Sequence, residues 1–405
     1  MFNYSRWISA SIGVGLVACG WMLYADDSPK PSVQPKITWK KVVLDTKFRS
    51  EGIAIIDVNK DGKADLFVGD YWYEAPDWKR HEVRKARMPD GYDPVRYSEG
   101  FACFVGDFNH DGWDDVIVIP FPGQSCFWYE NPKNQPGHWP EHPVWRSACN
   151  ETPAYADLFG DGKKVLIMGI QPEGQMCWFT PGEDVNKPWE PHPISDSKAP
   201  GTNPFSHGLG VGDVNGDGRL DVIVKEGWWE QPPEGRNATK PWTFHPAKLG
   251  EDCSDMYAVD INGDGLIDII SASAHRRGIW WHERSGSNQE SHFTRRDVTS
   301  LFTQTHAMHF VDIDGDGKKD LVTGKRWWAH GQKGDVEPDA PAVIYWISYH
   351  AKPGHPPTFD LHLIDDDSGV GTAFAVGDVN GDQLPDIAVA NKKGVFLLLQ
   401  QRSKP

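Results

Sequence analysis

Residues 208–224 read GLGVGDVNGDGRLDVIV, and this pattern decides the fold. Asp213, Asn215, Asp217 and Asp221 place side-chain oxygens at positions 1, 3, 5 and 9 of a nine-residue turn. Glycine at position 6 gives the backbone the freedom to fold those oxygens inward. Short apolar runs flank the turn, each the length of a buried strand. The unit is therefore strand, acidic turn, strand.

The turn recurs along the chain. Asp57, Asn59, Asp61 and Asp65 make the first copy, and Asp107, Asn109, Asp111 and Asp115 the second. The fifth has Asp260, Asn262, Asp264 and Asp268; the sixth has Asp312, Asp314, Asp316 and Asp320. Asp378, Asn380, Asp382 and Asp386 form the seventh, with Gln383 where glycine belongs. The third, DLFGDGKKV from Asp157, has Phe159 and Val165 at positions 3 and 9. Successive copies start 50, 50, 56, 47, 52 and 66 residues apart, the size of a four-stranded propeller blade.

Two further strands complete each unit. An aromatic strand follows every turn, such as YWYE at Tyr71 and GWWE at Gly227. A W-x-x-H strand comes next, at Trp78/His81, Trp139/His142, Trp189/His192 and Trp242/His245, with weaker forms at Phe293 and Phe359/His362. Those histidines recur as blade-edge packing and read as structural. The last unit lacks its outer strand, and TWKKVVLD from Thr38 supplies it. The expectation is an all-β chain with one seven-bladed β-propeller over residues 38–400, closed by an N-terminal strand, and a short tail over 401–405.

Composition narrows the function. A formal charge of −16 disfavours nucleic acid as a partner, because phosphate binding needs a basic surface. Arg6 precedes an uncharged run from Trp7 to Ala25, which reads as an export signal over residues 1–25, with a linker over 26–37. LVAC at Leu16–Cys19 has the form of a bacterial lipobox that would lipidate Cys19; cleavage after Ala25 would instead release a soluble protein, and an uncleaved anchor is the third reading. Both cleavage readings put the protein outside the cytoplasm, at the periplasm or cell surface, with any membrane contact through the lipid. The other five cysteines have no close pairs and no CxxC, so they read as packing residues.

Oxygen donors on a glycine-bearing turn suit Ca²⁺. Turns one, two, four, five and six are full calcium sites by this reading, turn three is empty, and turn seven is weak, giving five or six structural ions. Six would bring −16 to about −4. These turns resemble the FG-GAP/VCBS repeat, the calcium-loop propeller unit also found in integrin α-chain heads, over roughly residues 38–400. The resemblance implies fold and calcium, and by itself no activity.

In such a blade the acidic turns lie on one face, and the remaining connections surround the mouth of the central funnel on the other. Just before the first strands come Glu51, Glu99, Glu151, His207, Asp255 and His306; just after the second come Asp70, Lys225, Glu226, His275, Arg276, Arg277, Lys325, Arg326, Lys392 and Lys393. Three long connections converge there: residues 85–100, which include Tyr97, residues 195–208, and residues 325–340, which hold Trp327, Trp328 and His330. Long loops on a rigid scaffold wall a pocket.

His207, His306, Glu99, Lys225, Arg326 and His330 are the candidate catalytic set, combining bases, a carboxylate and cations for a developing oxyanion. Tyr97, Trp327, Trp328, Glu226 and Arg276 are the candidate substrate contacts. The carboxylate–histidine mixture also fits an additional divalent metal in the funnel. THAMHF at Thr305 and WWAHG at Trp327 look like the propeller portion of the aldos-2-ulose dehydratase family, which acts on keto-sugars. That family also carries cupin domains, which this sequence does not contain. The expected function is carbohydrate chemistry at the mouth, as a lyase or dehydratase. The alternative is a non-catalytic propeller that binds sugar or protein for adhesion or scaffolding.

Overall fold

A computed structural model describes residues 36–287, 291–352 and 354–403; the expected export signal and most of the expected linker lie outside them. Seven four-stranded antiparallel sheets account for almost all regular structure. In blade four the order is Leu209–Gly212, Asp221–Val224, Gly227–Glu230 and Thr243–Pro246, from the axis outward. Among the described residues helix is confined to a four-residue turn at Gly331–Gly334 and a 3-10 turn at Gly235–Asn237. Among the described residues no helix is long and apolar enough to cross a membrane.

The last sheet joins the two ends of the chain. Ala375–Gly377, Asp386–Asn391 and Gly394–Arg402 are its inner three strands, and Ile37–Asp45 is its outer one. Ile37 lies opposite Arg402 and Val43 opposite Phe396. On the inner side, the amides of Thr372 and Ala373 donate to the Glu51 carbonyl, bonding blade seven to blade one.

Blades bury apolar faces against each other. Ile167, Met176 and Trp178 of blade three pack with Leu209, Val222 and Trp229 of blade four, which removes the apolar face of each twisted sheet from water. The periodic tryptophans act at these seams. Trp139, Trp189 and Trp242 are buried, and their backbone amides donate to Val83, Val144 and Ile194 of the preceding blade. The W-x-x-H histidines stack on aromatic-strand indoles, Trp72–His81 at 4.4 Å and Trp178–His192 at 3.8 Å between ring centroids. His81, His142 and His245 also reach Glu74, Glu130 and Glu230. Their role is structural. The five cysteines among the described residues are buried and free.

Candidate functional site

The acidic turns are shaped by their own backbone. In turn one, Asp57 accepts the amides of Asp61 (3.2 Å) and Gly62 (3.0 Å) through its two oxygens. Gln383 keeps the same bond in turn seven, its amide donating to Asp378 at a left-handed φ of 66°. The position-nine carboxyls have a second job that their spacing does not reveal. All six are buried, and each accepts the amide of the residue at position 2, at 2.9 to 3.1 Å. Five of them also accept an amide at the end of the aromatic strand. Burial first, and the neighbouring carboxylates after it, push Asp115, Asp221, Asp268 and Asp320 up to about 7. In turn six, oxygens of Asp312, Asp314 and Asp320 lie within 4.8 Å of one another. This crowding of hard oxygen donors fits a Ca²⁺ ion.

Turn three is different. Arg236, in the 3-10 turn of blade four, bonds Asp161 through Nε (2.7 Å) and Nη2 (3.0 Å) and lies 4.4 Å over the Phe159 ring. A guanidinium thus stands beside the turn that has lost two oxygen donors.

On the opposite face the connections converge as the blade geometry predicts. Glu151, His207 and His306 come from three different blades and place one ligand atom each within 4.8 Å of the others. His306 Nε2 is 3.1 Å and His207 Nε2 is 3.5 Å from the same oxygen, Glu151 Oε2. Each of the three residues stands two or three positions before the first strand of its blade. That shared register is the signal by which Glu151 joins the two histidines.

His207 Nδ1–H donates to the Phe205 carbonyl at 2.7 Å, because a carbonyl can only accept. Nδ1 thereby carries a proton, and Nε2 faces Glu151. That nitrogen is buried without a hydrogen bond, as are His306 Nδ1 and His275 Nδ1. Burial pushes the Glu151 carboxyl up, but the adjacent His207 and His306 prevail and hold it well below the usual carboxylate range. Burial and Arg326 push His306 down to about 3. An ionised carboxylate beside a neutral imidazole is the protonation state of a metal-ligand set.

Arg326 bonds Glu51 at 2.5 Å and lies 3.5 Å from Glu151. His275, absent from the candidate set, sits 4.4 Å from His207 and 4.7 Å from His330 between ring centroids. Burial, then the neighbouring histidines, push it down to about 2. His330 is held at the surface by Asp335, 3.1 Å from Nδ1. Lys225 pairs with Asp252 at 2.9 Å, and the Asp252 carboxyl also feels His207 and His275, so this pair borders the cluster. Glu226 lies beside Lys225, and Arg276 is exposed 3.7 Å from Glu251.

Glu99 pairs with Arg87 in a recess lined by Gln124 and Tyr129. Trp327 and Trp328 stack on each other at 5.5 Å, with Lys393 over Trp327. Tyr97 meets His330 and the Phe205 carbonyl meets His207, with Phe121 between the two rings. Below the cluster an axial channel of about 300 Å³ runs between first strands, lined by Glu151, Tyr155, Asp255, His309 and Phe374 among others.

The model of the FG-GAP-like repeat family matches residues 260–323, from the fifth acidic turn into the second strand of blade six. No curated protein matches the chain significantly. The protein is a seven-bladed β-propeller with FG-GAP-like repeats.

Proposed function

We propose that this is an exported, calcium-stabilised propeller that performs elimination chemistry on a carbohydrate carbonyl compound at its funnel mouth. One observation carries the reading: His207 Nε2, buried and without a hydrogen bond, faces a carboxylate oxygen of Glu151 at 3.5 Å. Two electron-rich atoms so placed call for a cation between them. With His306 they form the two-histidine, one-carboxylate donor set suited to a divalent transition metal. Bound there, the ion would supply Lewis acidity to a carbonyl oxygen.

The chain's own residues account for the rest. His330, positioned by Asp335, takes the proton next to the carbonyl. The same imidazole gives that proton to the departing hydroxyl, which leaves as water. The product is a conjugated enone. Arg326 supplies fixed positive charge at the floor, and its bonds to Glu51 and Glu151 keep it from collapsing onto substrate.

The test joins metal uptake to turnover. Cobalt titration should give an absorption band from one site, lost in Glu151→Gln and His306→Ala. Keto-sugars should yield a product with enone absorbance, reduced on the order of 100-fold in His330→Ala. Absence of a cobalt band in the wild type, or product formation unaffected by all three changes, would refute the reading. Saccharide binding without any product would favour the non-catalytic propeller.

A further inference from the structure

The cluster continues into a circuit of side chains, one half of which has different chemistry. Ring centroids follow one another around its rim. His207 lies 4.4 Å from His275, His275 4.7 Å from His330, and His330 6.4 Å from Tyr97. Tyr97 is then 5.1 Å from Phe121, and Phe121 is 5.2 Å from Phe205. The circuit closes where the Phe205 carbonyl holds His207. Half the rim is histidine and half is aromatic. Glu151, His306 and Arg326 lie beneath it, each under 10% exposed, whereas Phe205 is 46% exposed.

We infer that the arc Tyr97–Phe121–Phe205 is a stacking subsite for the apolar face of a cyclic saccharide, turning the ring's polar edge toward the histidine arc. The inference rests on the carbohydrate part of the proposed function and not on its metal.

Three features point to this ligand class. An aromatic face exposed beside a polar pocket offers large apolar area at little entropic cost and suits an amphipathic ring. The ionic groups next to the arc, Arg326 with Glu51 and Glu151, suit a ligand that carries hydroxyls better than a wholly apolar one. A phosphate is disfavoured by Glu51 and Glu151 on either side of Arg326. Phe205 itself stands at φ 63°, a left-handed conformation uncommon for a non-glycine residue. Backbone strain of this kind concentrates at binding sites. The same turn exposes its ring and aims its carbonyl at His207.

The full chain with bound calcium would be screened on an array of plant, bacterial and animal glycans, and the tightest-binding saccharide carried into calorimetry. Phe121→Ala and Phe205→Ala should each weaken its binding about tenfold, and Phe205→Trp should restore it. A wild type that binds no saccharide overturns the inference. So do phenylalanine variants that bind within about twofold of wild type, a difference of under half a kcal/mol. The cobalt titration on the same proteins separates the two claims: a missing metal band with stacking intact removes the metal chemistry and leaves the subsite standing.

Discussion

Turns three and six follow the same backbone path around different centres. Asp157 and Asp312 each accept the amide of the position-six glycine, at 2.8 and 3.0 Å. Gly162 and Gly317 have φ of 81° and 88°. Around that shared frame, turn six gathers four carboxylates, and turn three has two, with Arg236 on one of them. The first aspartate and the glycine set the turn, while the remaining donors decide which cation neutralises it. A guanidinium brings its own charge and a planar pair of donors, so turn three needs fewer oxygens than an ion would.

The largest expected effect comes from removing calcium altogether. A ligand at a hundredfold excess over its dissociation constant stabilises by about 2.7 kcal/mol per site, and five sites act together. Scanning calorimetry in excess chelator should therefore show the melting temperature lowered by at least about 10 °C. An unchanged melting curve would erase the contrast between the turns by leaving turn six with no ion to lose.

A smaller loss should follow Asp312→Ala. Elemental analysis should count one calcium fewer per chain, with a fall of about 3 to 5 °C in calcium-containing buffer. Asp157→Ala should leave the calcium count unchanged. Equal counts for the two variants would mean that the turns do not differ in metal content.

Arg236→Ala should have the smallest effect, about 2 °C, from lost stacking on Phe159 and the lost ion pair. The diagnostic is that this drop is the same in calcium and in chelator. A drop seen only in calcium would place an ion in turn three and remove the distinction.

The fold was legible because its signal repeats. Seven turns at near-blade spacing, each with an aromatic strand behind it, leave few other arrangements, and the missing outer strand reappears at Thr38. The mouth was partly legible for the same reason: His207 and His306 occupy one register, and the axis brings that register together. Glu99 shares the register but not the destination, because Arg87 from its own long connection takes its carboxylate. Arg236 was out of reach, since the sequence around turn three displays the lost acids but not a cation some 75 residues away. Phe121 and Phe205 depend on loop conformations that no periodicity encodes. The position-nine aspartates were read as ligands alone because spacing reports which oxygens gather, not which amides they already hold.

The pairing of Ile37–Asp45 with Gly394–Arg402 also orients the whole molecule. Lys36 and Ser403 share a hydrogen bond, and strand direction places both on the face of the acidic turns. The chain thus enters the ring on the side of the acidic turns, and whatever is joined there leaves the histidine cluster facing the other way.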